Sequence, residues 1–156
     1  MQFFLNDAEQ TEALGAWLWQ ALPAKCLMYL YGDLGMGKTT LIRGLLRAAG
    51  HQGVVRSPTY SLVEEYQFAS RRVFHFDLYR LKDPEELEWM GMRDYLAQAA
   101  LSCIEWPQMG AAYLPAADLA LHFQAQGQGR QLEIKFFNQE LKNSFEVLFK
   151  NNYLLL

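Results

Sequence analysis

The chain has 156 residues and a net charge of −3 at pH 7, with 51% hydrophobic and 20% charged residues. This composition excludes an intrinsically disordered protein, and the length predicts a single domain over residues 1–156 with a core of its own. Nucleic-acid affinity comes mainly from neutralised phosphates, so an acidic chain is expected to bind RNA or DNA weakly or not at all by itself.

The cysteines and the apolar segments indicate a protein of a reducing compartment. Cys26 and Cys103 each lie inside an apolar run, where buried free thiols are expected, and two cysteines do not make a disulfide framework. The first ten residues lack the basic start and apolar core of a secretory signal, and no apolar stretch approaches the roughly 20 residues that span a bilayer. We therefore expect a cytoplasmic protein with no membrane segment.

The N-terminal segment predicts a short strand followed by an amphipathic helix. Residues 2–5 are apolar enough for a strand. Asn6, with Glu9 three residues later, has the spacing of a capping box. Apolar residues then recur at helical spacing until Pro23 ends the helix; they are Leu14, Trp17, Leu18, Ala21 and Leu22.

A glycine-rich loop lies between a predicted buried strand and a predicted helix. Residues 26–31 form a continuous apolar run, as expected of a strand covered on both faces. Residues 32–39 read GDLGMGKT and match the pattern G-x-x-x-x-G-K-[ST], and an apolar stripe follows over residues 41–49 at helical spacing. A strand before this motif and a helix after it form the context that a phosphate-binding loop requires.

The residue types of this loop suit a bound nucleotide. Glycines let the loop bend so that backbone N–H groups point at the phosphates, and the N-terminal end of the following helix adds positive potential. Lys38 is expected to reach the outer phosphates, and the Thr39 hydroxyl to ligate magnesium. The candidate phosphate-binding residues are Gly32, Asp33, Leu34, Gly35, Met36, Gly37, Lys38, Thr39 and Thr40.

The rest of the chain continues the alternation of strands and helices. Residues 73–77 and 101–105 are further apolar runs typical of buried strands, and residues 82–100 contain one or two helices behind a second capping box. Residues 118–137 predict two strands around a Gln/Gly turn, an antiparallel hairpin at the sheet edge. The order predicts an α/β, P-loop NTPase-like fold of three layers, with a mainly parallel central sheet and an antiparallel edge hairpin.

Two carboxylates, Asp77 and Glu105, close predicted buried strands. The carboxyl ends of parallel strands lie beside the phosphate loop, and a buried carboxylate is unfavourable unless it meets a cation or several donors. We expect one acid to hold magnesium, partly through water, and the other to orient the attacking water; the sequence does not assign which. Thr59, in a loop that Pro58 keeps out of helix, is a candidate switch hydroxyl. His75 is interpreted as a hydrogen-bonded strand histidine rather than a base.

Six segments resemble the bacterial TsaE (YjeE) family in their order and spacing, namely GDLGMGKTT, SPTYSLVEEY, HFDLYRL, DPEELE, GMRDYL and IEWPQ. The resemblance covers residues 3–135 and leaves 137–156 as a divergent C-terminal segment. It implies an ATPase that uses ATP and Mg²⁺ and is required for threonylcarbamoyladenosine modification of tRNA. The implied partners are TsaB and TsaD, so that tRNA would be met indirectly, through that complex.

Carried over to this sequence, the resemblance also implies roles for particular residues. Lys38 and Thr39 correspond to the phosphate lysine and the magnesium threonine of the family. Glu105 corresponds to its second magnesium ligand and Asp77 to the acid needed for hydrolysis. Thr59 corresponds to its switch threonine. Further correspondences are Trp106, at a functionally important tryptophan, and, on weaker motifs, Arg130 and Ala8, where the family contacts nucleotide.

Other functions remain open from the sequence. A GTPase would carry N/T-K-x-D, which is absent. A small-molecule kinase would close an arginine-rich lid over the phosphates, and Arg71, Arg72 and Arg80 come closest to such a cluster. A non-enzymatic alternative is a nucleotide-gated binding module, in which ATP orders a docking surface. No arginine is assignable as a transition-state cation, a group worth about 10³–10⁵ in rate, so we expect slow hydrolysis by the chain alone and faster turnover with partners.

Overall fold

The computed structural model of the protein describes residues 1–152, in which seven strands form one sheet. The strands are β1 (Gln2–Leu5), β2 (Cys26–Tyr31), β3 (Val63–Gln67), β4 (Arg72–Asp77), β5 (Ala100–Glu105), β6 (Leu119–Gln126) and β7 (Gly129–Phe136). The helices are α1 (Ala8–Ala21), α2 (Lys38–Ala48), α3 (Glu86–Trp89), α4 (Met92–Ala97) and α5 (Gln139–Asn152), and a 3-10 helix spans Pro107–Tyr113. Among these residues, none of the helices has the length and apolarity needed to span a bilayer.

The strand order is β1-β7-β6-β2-β5-β4-β3. The four central strands β6, β2, β5 and β4 run parallel, while β3 pairs antiparallel with β4, and β7 with β6. The predicted α/β fold is confirmed, with one difference in detail. The β6–β7 hairpin is not the sheet edge, because β1 pairs antiparallel along the outer side of β7. A four-residue strand is too short to be stable alone. Strand β1 is stabilised by pairing with the outer edge of β7, whose backbone N–H and C=O groups would otherwise be unpaired.

The sheet separates two apolar cores, as a three-layer fold requires. Successive residues of β2 point to opposite faces: Met28 and Leu30 join the core under α1 and α2, and Tyr29 joins the core under α3, α4 and the 3-10 helix. Both cysteines are free and buried, as the sequence predicted. Strands covered on both faces bring their carboxyl ends to one edge of the sheet, beside the start of α2.

Two capping boxes fix the starts of helical segments. At α1 the N-cap is Asp7, whose Oδ1 accepts from the Gln10 N–H at 2.8 Å, while Gln10 Oε1 accepts from the Asn6 N–H at 2.8 Å. The predicted capping pair of Asn6 and Glu9 is therefore wrong: Asp7 caps α1, and Gln10 reaches back to the residue before the cap. The hydrogen bonds of the second predicted box are present: Glu86 Oε1 accepts from the N–H of Asp83 at 3.0 Å, and Asp83 Oδ1 accepts from that of Glu85 at 2.9 Å. They lie in the turn before α3, whose N-cap is Glu85 and makes no side-chain cap hydrogen bond.

Close packing of α1 on α2 holds the phosphate loop in place. Gly15 of α1 faces the backbone carbonyl of Leu41, and Gly44 of α2 faces that of Glu12. A Cβ at either glycine would overlap the opposing backbone, so the two helix axes approach only because both side chains are absent. Since α2 begins at the loop lysine, this contact determines where the loop residues lie relative to the sheet.

The C-terminal segment that the resemblance did not cover folds as α5. Phe145 is fully buried and makes edge-to-face contacts with Trp17 of α1 at 4.2 Å and with Phe136 of β7 at 4.8 Å, both measured between ring centroids. The helix is therefore part of the core of the domain. Residues 153–156, the last four of the segment 137–156, lie outside the described residues.

Replacement of Phe145 by leucine is expected to lower the free energy of unfolding by about 1–2 kcal/mol, because both aromatic pairs and part of the buried area are lost. Val147→Ala is the matched control on the same helix, since Val147 is 59% exposed and its truncation should change stability by less than about 0.5 kcal/mol. Urea denaturation of the two variants measures the difference. Equal effects would contradict the packing of α5 against the core.

Candidate functional site

A cleft of about 380 Å³ opens at the carboxyl ends of β2, β4 and β5. Ligands of open α/β sheets bind at this position, because loops diverge there and helix N-termini point at it. Its lining consists of loop residues 34–40 together with Ser57, Thr59, Asp77, Tyr79, Arg80, Glu105 and Trp106. The cleft thus collects residues from four separate stretches of the chain.

Glycines give the loop its path from β2 into α2. Gly32 has φ 143°, and a Cβ there would lie 2.9 Å from the backbone and side chain of Phe123. Gly37 is the N-cap of α2 with φ 101°, and a Cβ there would overlap the guanidinium of Arg130. Gly32 therefore requires glycine for conformation and for space, whereas Gly37 requires it for its positive φ, because the end of the Arg130 side chain is free to shift. The resulting loop leads directly into the N-terminus of α2, the geometry of an anion site.

Lys38 lies across the loop that precedes it. Its Nζ donates to the backbone carbonyls of Gly32 at 2.6 Å and Asp33 at 2.8 Å, and its side chain is 4% exposed. Burial lowers the pKa of Lys38, an effect partly opposed by the negative charges of Glu105 and Asp77. Two of its three N–H donors are thus engaged, and the ammonium lies in the cleft beside two carboxylates.

Trp106 covers Lys38 from the β5 side. Its ring centroid lies 4.4 Å from Lys38 Nζ, a cation–π contact, and 4.9 Å from the ring of Tyr79. Its backbone has φ 57°, in the left-handed region, which is unfavourable for a bulky residue and persists only where the surroundings hold it. Pro107 follows and opens the 3-10 helix. The strained turn brings an aromatic face to the loop lysine.

Glu105 joins the end of β5 to the start of α2. Its Oε1 accepts from the hydroxyl of Thr39 at 2.7 Å and lies 2.9 Å from Nε2 of His75. Because the Thr39 proton is directed at Glu105, the hydroxyl lone pairs remain available to a cation. His75 is a hydrogen-bonded strand histidine, as the sequence predicted, but its partner, Glu105 on the neighbouring strand β5, is a candidate site residue.

The oxygens of Thr39 and Glu105 suit a Mg²⁺ ion that is shared with a nucleotide better than a metal ion held by protein side chains alone. Residues 1–152 contain no group of three or more His, Cys, Asp or Glu side chains able to hold a metal ion. Mg²⁺ in nucleotide sites is held by one or two protein oxygens together with phosphate oxygens and water. Thr39 and Glu105 supply two such oxygens beside the loop, so a metal would be held only together with a nucleotide.

Asp77 lies at the end of β4 and is 4% exposed. Its Oδ1 accepts from the backbone N–H of Tyr79 at 2.9 Å, and its Oδ2 accepts from the hydroxyl of Ser57. These two donors orient the carboxylate in the cleft. Both are uncharged, so they do not neutralise its negative charge. Ser57 precedes Pro58 in the loop that carries Thr59, so this loop is fastened to the acid.

Thr59 also lines the cleft, and its hydroxyl makes only a long hydrogen bond, 3.4 Å, to the carbonyl of Ser57. A weakly held hydroxyl can reorient toward a ligand at little energetic penalty. Its neighbour Tyr60 is 85% exposed and packs its ring 4.6 Å from the guanidinium carbon of Arg80.

The arginines do not form the cluster considered from the sequence. Arg71 donates to the Leu22 carbonyl at 2.8 Å, and Arg72 donates to Gln67 and Gln98 at the amino ends of β4 and β5. Arg71 lies just before β4 and Arg72 is the first residue of that strand, and their side chains reach different partners. Of the three, Arg80 alone lines the cleft. An arginine-rich lid is therefore absent from the described part of the chain.

Two other candidate residues, Arg130 and Ala8, belong to β7 and α1. Arg130 of β7 donates from Nη1 to the Met36 carbonyl at 3.3 Å and contacts Gly37, so it braces the loop from behind. Ala8 is the first residue of α1 and is exposed. Neither lines the cleft. Nucleotide contacts by these two residues stay predictions.

Sequence reasoning missed three contributors to the site: Ser57, Tyr79 and the His75 contact with Glu105. Arg80 was considered only as part of an arginine-rich lid, and it lines the cleft without Arg71 and Arg72. Ser57 and Tyr79 lie within two residues of predicted site residues, and that proximity was the available signal. The histidine could not be paired with Glu105 from the sequence, because the contact depends on the register of β4 against β5.

Comparisons with known proteins agree with this architecture. The family model described as threonylcarbamoyl adenosine biosynthesis protein TsaE matches residues 5–132. The TsaE protein of Haemophilus influenzae is 53% identical over 108 residues, covering 69% of this chain and 68% of that protein. That of Synechocystis is 40% identical over 114 residues, covering 69% and 71%. The crystal structure of YdiB from Bacillus subtilis matches 97% of this chain and 95% of that chain with TM-score 0.82 at 21% identity, a likeness of fold.

Proposed function

The chain belongs to the TsaE family, and from that premise we propose that it is an Mg²⁺-dependent ATPase that acts with TsaB and TsaD. Family membership gives it a role in tRNA threonylcarbamoyladenosine biosynthesis. The observation that carries the ATPase proposal is the convergence of Lys38, Thr39, Glu105 and Asp77 on one cleft. In this scheme the chain meets tRNA through its partners.

Nucleotide phosphates bind to the loop and to Lys38. The N–H groups at the start of α2 and the glycine turns provide donors, and the Lys38 ammonium adds charge-assisted hydrogen bonds. Lys38 Nζ keeps one donor free beyond the carbonyls of Gly32 and Asp33. Trp106 shields this ammonium from water on one side, which strengthens its attraction for phosphate.

Thr39 and Glu105 are the residues that would hold the metal ion. Their hydrogen bond of 2.7 Å orients the threonine hydroxyl, and the glutamate supplies the negative charge. Mg²⁺ bound there supplies positive charge against the phosphate oxygens. Lys38, Thr39 and Glu105 line one cleft, so the ammonium and a metal ion held there would both face the outer phosphates.

Asp77 orients the attacking water and accepts its proton. The carboxylate is held by Ser57 and by the Tyr79 N–H, so its direction is set before the nucleotide arrives. Thr59 lies on the same loop as Ser57, and contact of its hydroxyl with the terminal phosphate would change the position of that loop. Movement of the loop on nucleotide binding therefore changes the contacts of Asp77 as well, which couples sensing to hydrolysis.

The chain alone is expected to hydrolyse ATP slowly. The cleft contains one arginine, Arg80, which is exposed and engaged with Tyr60. A partner that fixes Arg80, or that inserts its own cation, would raise the rate toward the factor of about 10³–10⁵ known for arginine fingers. Phosphate release measured with and without TsaB and TsaD tests this expectation. Full-speed turnover by the isolated chain would contradict it.

A titration of the purified chain against TsaB–TsaD with ATP, with ADP and without nucleotide tests the partnership. We expect assembly to depend on the nucleotide. The loop with Ser57 and Thr59 lines the cleft, and its next residue, Tyr60, is exposed to a partner. Absence of assembly under all three conditions would overturn the partnership. Phosphoryl transfer to an added small molecule would instead favour the kinase alternative, which the separated positions of Arg71 and Arg72 do not support.

A further inference from the structure

We propose that His75 is a positioning residue for Glu105: its Nε2–H fixes one carboxylate oxygen, so that the other oxygen is presented to the metal ion. The inference rests on the proposed metal site at Thr39 and Glu105 and assigns a role to a residue outside the cleft lining.

The strand register brings the two side chains together. In the parallel pair β4–β5, His75 lies opposite Cys103, and Asp77 lies opposite Glu105. His75 is fully buried and Glu105 is 3% exposed, and Nε2 lies 2.9 Å from Oε1. The contact is therefore shielded from water, which makes its hydrogen bond stronger than one at the surface.

The other ring nitrogen indicates which form of the imidazole is present. Nδ1 of His75 is buried and has no hydrogen-bond partner in the part of the chain that the structure describes. A proton on Nδ1 would be a buried donor without an acceptor, which is unfavourable by about 1–3 kcal/mol. The ring therefore carries its one proton on Nε2 and donates it to Glu105.

A neutral donor suits this position for an electrostatic reason. A lysine or arginine at the same distance would pair with the carboxylate and compete with a metal cation for its charge. The neutral imidazole orients the carboxylate and leaves its full negative charge available. Thr39 and His75, the two donors that reach Glu105 from residues 1–152, both meet Oε1. Oε2 receives no hydrogen bond from residues 1–152, so it is the oxygen free for a metal ion or for metal-bound water.

The test compares two replacements of nearly equal length. His75→Gln keeps an N–H close to the Nε2 position, and His75→Met removes it. The measured quantity is the Mg²⁺ concentration that half-saturates the change in fluorescent-ADP binding, at fixed ADP. We expect His75→Met to need about 10–100 times more Mg²⁺, the usual effect of losing an outer-shell partner, and His75→Gln to stay close to wild type.

Two further measurements separate positioning from folding. Affinity for the fluorescent ADP in EDTA should be the same in all three proteins, because His75 does not contact the phosphate loop. His75→Leu, which also lacks an N–H donor, should behave like His75→Met, and it takes the place of that variant if the methionine variant fails to fold. Equal Mg²⁺ requirements for the glutamine and methionine variants would overturn the proposal.

The wild-type titration distinguishes this inference from the proposed function. If Mg²⁺ does not affect nucleotide binding by the wild type, the metal site itself is wrong. If the wild type depends on Mg²⁺ and the His75 variants match it, only the role of His75 is wrong.

Discussion

Replacing Asp77 by asparagine is expected to lower the rate of ATP hydrolysis by about 10²–10⁴-fold, the contribution typical of a general base, while nucleotide affinity stays close to wild type. Asparagine preserves the shape of the side chain and an oxygen acceptor for the Tyr79 N–H. It removes the negative charge and the capacity to take a proton from water. The loss should therefore fall on the chemical step.

Two assays with one control decide the role of Asp77. Phosphate release under single-turnover conditions gives the rate, and calorimetric titration with ADP and Mg²⁺ gives the affinity. Glu64→Gln, on the exposed edge strand β3, removes an acid of the same charge outside the cleft and should leave both quantities unchanged. If affinity falls as far as the rate in the Asp77 variant, Asp77 holds the metal or the fold, and the assignment to water is wrong.

Replacing Lys38 by methionine is expected to weaken ADP binding by about tenfold to a hundredfold, since hydrogen bonds to charged groups are worth about 1.5–3 kcal/mol each. Methionine keeps the length and the apolar contact with Trp106 but cannot donate. The stability of the fold should change little. Burial of the ammonium is itself unfavourable, as its lowered pKa indicates, and the freed carbonyl of Asp33 belongs to an exposed residue that water can reach.

Calorimetric titration with ADP measures this loss, and thermal unfolding measures the stability. Lys135→Met provides the matched control, because Lys135 is an exposed lysine on β7 whose charge pairs only loosely with Glu133 at 3.4 Å. Its affinity for ADP should equal that of the wild type. An unchanged affinity in the Lys38 variant would mean that the loop backbone alone binds the phosphates.

Much of the fold was predictable because its determinants are local. The apolar runs that became β2, β4 and β5 are buried on both faces, and such strands lack the alternation of a half-exposed strand. Errors arose where two local choices are nearly equal in energy. Asp7 and Gln10 form the cap one position away from the predicted pair. The short β1 pairs with β7, more than 120 residues later in the chain, and local sequence does not predict that pairing.

The sequence by itself determined the phosphate loop, its strand-to-helix setting and the two acids at strand ends, because each is a feature of neighbouring residues. Only the tertiary structure decided their partners: Thr39 with Glu105, Asp77 with Ser57, and His75 with Glu105. These contacts join residues 20 to 66 positions apart, and they depend on strand order and register. Local spacing carries no information about register, since the packing of whole elements against one another sets it.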